Sequence, residues 1–371
     1  MSELHSPFLS RRLSVSSVMF DVVIALVPLA VIACLAFGIN SLIILGVAIV
    51  SCLLSEILFS AILLRQTNTW KDSSAIVTGI LLALTLSPLT PWYIVAFGGV
   101  TAILFGKVLW GGLGRNTFNP ALVGRELMTV FFANTMNGTG IWSTAKHVNL
   151  QPTSFFPNVA ESAGSYLNKL IYSPQGALGE YSILFIVLGG LYLIFRNRIS
   201  WHIPLAMFFV FTQVQWLIPD SIPFQFALAG LLFGVLFMAT DMPTSPSHNS
   251  AKIYYGVLLA LVVAILIIGE VRYAYMSYGI LIMNAFSRPI TNLFTPRPWG
   301  KPSEWKSMVK PVFILTLSVL GTAFAVVSLA RLELINYLVY TYLIFIVFEY
   351  YYRFQYEVCS FITSKKNDEE D

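Results

Sequence analysis

Apolar runs long enough to cross a bilayer recur almost from one end of this chain to the other, and that feature limits the fold more than any other. A helix needs roughly 20 consecutive, mostly apolar residues to cross the hydrocarbon core. Of 371 residues, 57% are hydrophobic and only 11% are charged, whereas a soluble domain carries about 25% charged residues. Such a chain cannot cover its surface with polar groups, so lipid must be its solvent. An all-α integral membrane protein is expected. The opening stretch "MSELHSPFLSRRLSVSS" is polar and basic, and no small-residue cleavage site follows the first apolar run, so no cleaved leader is expected.

Twelve spans are read, near Val18–Phe37, Ser41–Leu64, Ser73–Leu86, Ile94–Leu109, Asn119–Asn134, Ser182–Phe195, Trp201–Leu217, Phe224–Thr240, Ile253–Ile268 and Tyr273–Phe294, then a hairpin at Met308–Leu329 and Leu334–Tyr352. Ser73–Leu86 is short enough to be re-entrant. Lys and Arg bias sets orientation. With a cytoplasmic N-terminus, seventeen of the 22 basic residues fall inside, four fall outside and Arg125 lies within a span. Both termini are therefore predicted to be cytoplasmic.

One connection, Thr135–Tyr181, is long and polar and is placed outside; it is too long for an idle connector, and the plainer alternative is a disordered surface loop. "TGILLALTLSPLTP" (Thr78–Pro91) resembles "AGLLFGVLFMATDMPTSP" (Ala229–Pro246), and "FNPAL" (Phe118–Leu122) has a counterpart in "MNAF" (Met283–Phe286). These elements lie five spans apart, an odd offset, so the two halves are predicted to be inverted. Inverted repeats whose paired helices stop early at Pro or Gly place a site near the midplane. The domains expected are 1–134 (first five-helix repeat), 135–181 (external loop), 182–300 (second repeat) and 301–371 (C-terminal hairpin and charged tail).

An ionisable side chain inside a span costs at least about 2.5–3.5 kcal/mol, which makes it a functional candidate. Asp21, Glu56 and Glu126 meet that description, and Asp72 and Asp241 border the repeated elements. These five form the candidate ion path. For Asp72 the plainer alternative is a helix N-cap; for Asp21 and Glu56 it is a buried polar network. The glycine-dense "GGLGRNTFNPALVGRE" (Gly111–Glu126) holds Arg115, Asn116 and Asn119. Glycine permits close backbone approach and Arg suits a phosphate, so these three are candidate cofactor contacts; a tight turn with capping Asn is the alternative. Four scattered histidines and three separated cysteines give no metal-ligand spacing.

The blocks "SPFLSRRLSVSSVMFDVVIALVPL", "DSSAIVTGILLALTLSPLTPW", "GGLGRNTFNPALVGR", "ATDMPTSP" and "ILIMNAFSRPITNLFTPRPWG", in that order from Ser6 to about Gly300, resemble the NqrB/RnfD family. The short N-terminus and the "ATDxxTSP" block, whose Thr244 is a further candidate cofactor contact, are most similar to the RnfD branch of that family. The resemblance implies a ten-helix core of inverted repeats, similar to the urea-transporter architecture, in a multi-pass bacterial inner-membrane protein. It implies partner subunits in a redox complex of the Rnf type that moves Na⁺ or H⁺, with electrons passing between ferredoxin or NADH and NAD or a quinone. It also implies FMN held by a phosphoester to a Thr hydroxyl, with riboflavin as a possible second flavin. The family's attachment motif is S-G-A-T; here Ser162-Ala163-Gly164-Ser165 stands at that place, putting Ser165 at the attachment position. That departure keeps two alternatives open, a flavin-free channel or transporter and a scaffold subunit. No nucleic-acid partner is expected, and the hairpin from Met308 onward lies outside the resemblance.

Overall fold

The computed structural model describes residues 14–142, 176–219, 221–222, 224–271, 274–295 and 305–367, with the backbone alone at 139, 305–307 and 354–367. The described residues are helical and contain no strand. The helices are α1 (Val15–Phe37), α2 (Ile39–Leu63), α3 (Ser74–Leu84), α4 (Trp92–Ile103), α5 (Pro120–Phe131), α6 (Ile183–Phe195), α7 (His202–Leu217), α8 (Leu228–Phe233), α9 (Asn249–Ile268), α10 (Tyr275–Leu293), α11 (Trp305–Arg331) and α12 (Ile335–Asn367). Each expected span overlaps one of them, with the helix boundaries displaced by up to several residues. α4 and α8 run on as π-helical turns, Leu104–Val108 and Gly234–Ala239.

Among the described residues, four helical stretches are long and apolar enough to cross a bilayer, Val15–Phe37, Ile39–Leu63, Asn249–Ile268 and Met308–Arg331. Several others are apolar but short. α3, with 11 residues, rises only about 16 Å at 1.5 Å per residue, roughly half of the ~30 Å core. The sequence explains its limits. Asp72 accepts the Ser74 amide hydrogen at the start, and the Thr-Leu-Ser-Pro run after Leu84 stops the far end.

Exposure along a single helix shows how the bundle is built. On α2, Leu54 is 62% exposed while Glu56 is 0% exposed. Apolar side chains face outward and ionisable ones inward, the reverse of a soluble protein and the arrangement that lipid requires. α2 packs on α3 and α4, and α4 on α5; α7 packs on α9, and α9 on α10; α1 lies against α6, and α5 meets α10. The hairpin α11–α12 closes on this core from the side, α11 against α9 and α10, and α12 against α5.

The ends of the long Thr135–Tyr181 connection belong to the core. Ile141, Trp142, Ala177, Leu178 and Tyr181 are buried, and the Leu178 amide donates to the Leu86 carbonyl just beyond α3. The central part, residues 143–175, includes Ser165 and lies outside the described residues.

Candidate functional site

Among the described residues, three groups of charged side chains join elements that are distant in sequence. The first begins on α2. Glu56 is fully buried and lies 2.5 Å from the Lys107 ammonium, itself 3% exposed. Lys107 sits in the π-turn that ends α4, where the Leu109 amide reaches back five residues to the Leu104 carbonyl. That turn lies tight on the start of α5: a Cβ on Gly106 would come within 2.6 Å of the Pro120 Cα, so glycine is required there. Lys107 also donates to the Ser74 hydroxyl. Ser74 in turn donates through its hydroxyl (2.5 Å) and its amide (2.9 Å) to one oxygen of Asp72. Two candidates from the sequence, Glu56 and Asp72, are thus joined by two residues, Lys107 and Ser74, that were not singled out. Oε2 of Glu56 is buried without a hydrogen-bond partner.

The second group lies where α5 meets α10. Arg125 donates to the Ser277 hydroxyl at 2.9 Å and lies 5.9 Å from the centre of the Trp142 ring. The adjacent Glu126 accepts from the Thr129 hydroxyl through Oε2 at 3.4 Å, and its Oε1 is buried without a hydrogen-bond partner. Glu180, at the end of the long Thr135–Tyr181 connection, completes this group. A Cβ on Gly176 or Gly230 would come within 2.2 or 2.5 Å of its carboxylate oxygens, so two glycines from separate segments make its seat. Burial pushes the Glu180 carboxyl above its ordinary range, and the Arg125 charge opposes that shift. Thr85, Arg125, Glu180, Phe233, Tyr275 and Ser277 line a cavity of about 30 Å³, enough for one or two waters.

The third group ties α1 to α6. Asp21 meets Arg198 at 2.5 Å, Arg196 at 3.1 Å and the Tyr192 hydroxyl at 3.2 Å. Its charge is matched by two guanidiniums. The left-handed backbone at Asn197 lies between the two arginines.

The glycine-dense segment folds as a turn, with Gly111, Gly112 and Gly114 all in the left-handed region. Asn116 closes it, accepting from the Gly114 amide and donating to the Phe118 carbonyl. Asn119 caps α5 by accepting from the Ala121 amide, with Pro120 at the first helical position. Both Asn side chains are buried. Arg115 is exposed, its side chain passing Gly111, so an anionic group fits beside it. The second Asn element meets the first. With its amide oriented to satisfy the network, Asn284 accepts from the Asn119 amide at 3.1 Å and donates to the Tyr255 hydroxyl. Asp241 follows the π-turn of α8, in the loop before α9. Thr244 donates to its carboxylate at 3.3 Å, and burial pushes the Asp241 carboxyl up to about 6.

Sequence reasoning passed over Lys107 and Glu180. Lys107 counted only as an inner-end cation, although "ILFGKVLWGG" places it inside an apolar run between glycines. Glu180 sat in "GALGEYS" at the end of a polar loop, with nothing to show that it turns inward. Among the described residues no cluster of three or more His, Cys, Asp or Glu is arranged to hold a metal ion.

A family model described as "NQR2, RnfD, RnfE family" matches residues 3–300. The chain is 31% identical over 309 residues to the D component of the proton-translocating ferredoxin:NAD(+) oxidoreductase complex of Clostridium ljungdahlii, covering 78% of this chain and 93% of the relative. It is 32% identical over 295 residues to the D component of the Na(+)-translocating ferredoxin:NAD(+) oxidoreductase complex of Acetobacterium woodii, covering 78% and 92%. It is also 28% identical over 344 residues to the D component of an ion-translocating oxidoreductase complex of Halorhodospira halophila, covering 81% and 96%.

Proposed function

The chain belongs to the NQR2, RnfD, RnfE family, and from that membership we propose that it is the D-type membrane component of an ion-translocating ferredoxin:NAD oxidoreductase complex. It acts with partner subunits in the bacterial inner membrane and is not catalytic alone. The observation that carries this reading is the family match over residues 3–300, which contains every buried carboxylate described above.

The ten helices α1–α10 are read as two inverted five-helix halves, 1–134 and 182–300, with both termini cytoplasmic and 301–371 as an added hairpin and tail. The matching neighbour pattern of the halves, α2–α4–α5 and α7–α9–α10, supports this. So does the meeting of Asn119 with Asn284. The ion path is assigned to Glu56, Asp72, Glu126 and Asp241. Asp21, already matched by two arginines, belongs to the buried polar network at one end of that path. In intact complex, Asp21→Asn should leave the ions moved per electron unchanged, and Glu56→Gln should lower them. If both variants, singly and together, move ions like the parent, the path assignment is wrong.

For the flavin we assign covalent FMN to Ser165 in the external loop, with riboflavin as a second flavin. The exposed Arg115 lies at the opposite end of α5 from that loop, so it is assigned to the second flavin, where it suits an electron-rich edge; Asn116 and Asn119 build the turn that carries it, and Thr244 holds Asp241 at the counterpart element. When bound, the flavin supplies the electron-transfer chemistry and the protein supplies position and electrostatics. A denaturing gel of the protein, co-expressed with a flavin transferase, should show a fluorescent band that Ser165→Ala abolishes. The S-A-G-S sequence at Ser162–Ser165 favours a second reading, a scaffold or channel subunit without covalent flavin. A dark band in the parent would select it.

A further inference from the structure

The chain of four side chains from Asp72 to Glu56 runs between two different environments. Asp72 is partly exposed, whereas Ser74, Lys107 and Glu56 are buried. At the inner end, Oε2 of Glu56 has no partner although Oε1 holds the ammonium at 2.5 Å. The other titratable groups that act on the pair are Cys52, one helical turn away on α2, and Asp72 itself. Cys52 donates to the Gly99 carbonyl and so stands outside the chain.

The position between Oε1 of that carboxylate and the Ser74 hydroxyl is the one at which a metal cation could bridge Glu56 to the rest of the chain. Lys107 already fills it, bonded to both. A lysine can also do what an arginine cannot: release its proton when buried. We propose that Asp72, Ser74, Lys107 and Glu56 form a proton-loading relay and that this site takes H⁺ and not Na⁺. The relay rests on the reading of the chain as an ion-moving subunit.

The step balances. Lys107 gives one proton to Glu56, leaving a neutral amine and a neutral carboxylic acid. The Ser74 hydroxyl turns its hydrogen to the amine and takes the proton of a protonated Asp72. At the end Lys107 is again an ammonium, Asp72 is a carboxylate, and one proton has moved from the partly exposed end to Glu56. The π-turn matters because it sets Lys107 within reach of two helices at once, α2 through Glu56 and α3 through Ser74.

The test uses inverted membrane vesicles containing the intact complex, energised with reduced ferredoxin and NAD. Proton uptake is read by a ΔpH dye, Na⁺ uptake by radiotracer, and NAD reduction in parallel with and without protonophore. Lys107→Arg keeps the ion pair but cannot give up its proton; Glu56→Gln keeps an acceptor for Lys107 but cannot take one. Each is expected to lower proton uptake by the vesicles at least tenfold, with every subunit of the complex still present in the membrane. A purely structural pair would be rescued by Lys107→Arg, so proton uptake within twofold of the parent in that variant overturns the relay. So does parent uptake carried by Na⁺ and resistant to protonophore. A parent complex that moves neither ion overturns the underlying reading instead. Should both variants fail to assemble, a hydrophobic carbodiimide applied to the unmodified complex decides, because it adds only to a protonated carboxyl. Labelling at Glu56 with loss of proton uptake supports the relay, and an unlabelled Glu56 during turnover overturns it.

Discussion

Removing either member of the Glu56–Lys107 pair should destabilise the bundle strongly, and removing both should not. Glu56 is 0% and Lys107 3% exposed, so neither charge has water to fall back on. Lys107→Met leaves the carboxylate without a partner on either oxygen, because Oε2 has none to begin with. Glu56→Leu leaves the ammonium with only the Ser74 hydroxyl. Breaking a buried pair by deleting one partner costs about 3–5 kcal/mol, whereas replacing both with apolar residues of similar volume is often neutral or stabilising. The coupling energy of the double-mutant cycle should therefore be about 6–10 kcal/mol in magnitude, the sum of the two single costs. At roughly 2 °C per kcal/mol for a chain of this size, each single variant should melt about 6–10 °C below the parent, with the double variant close to it. Cys52 is fully buried two residues from the nearest exposed position on α2, Leu54, so a thiol-reactive fluorophore reports unfolding once Cys34 and Cys359 are replaced by alanine. Unfolding in detergent gives a ranking of midpoints at one scan rate. Single variants within 2 °C of the parent, or a double variant below both singles, would refute the argument that the pair is dry and self-contained.

Other consequences follow from the same geometry. Gly230→Ala should lower the midpoint through an overpacking cost of about 1–3 kcal/mol, because its Cβ would meet a Glu180 oxygen at 2.5 Å; a simultaneous Glu180→Ala should restore it. Asp241 should make stability fall as pH rises from about 4 through about 6. Its carboxyl holds a proton up to about 6 in the folded chain and only to 3.8 otherwise, a difference of at most about 3 kcal/mol; the fall in midpoint over that range should be smaller in Asp241→Asn. Tyr342→Phe removes the donor to the Phe105 carbonyl, a 2.8 Å bond, and should cost about 1–3 kcal/mol for the acceptor left unsatisfied, measured by the same thiol assay.

The helices were legible because length and apolarity are local properties. α3 reads as short from the Thr-Leu-Ser-Pro stop after Leu84, and the Asp72 cap reads from "KDSSA". The partners of the buried charges were not legible. Glu56 and Lys107 are 51 positions apart, and neither run reports which way its polar residue turns. The π-turns were equally silent: "LFGKV" and "GVLFMA" carry ordinary helical residues, and their widening shows only in five-residue hydrogen bonds. Asn119 and Asn284 could be paired as repeated elements, but their contact depends on how the two halves fold together. Glu180 was hidden for a related reason, since the glycines that seat it come from two segments more than fifty residues apart.

The C-terminal hairpin has a consequence for assembly. Three donors on α12 reach backbone carbonyls of the core: Tyr342 to Phe105, Tyr350 to Leu63 and Arg353 to Trp110. Those acceptors lie in the π-turn that carries Lys107, at the end of α2 and just past the turn. The matched family segment ends at residue 300, so α12 is an appendage that acts as a permanently attached neighbour on this flank. A second chain that approached this flank would meet α12 first, and not the turn that carries Lys107.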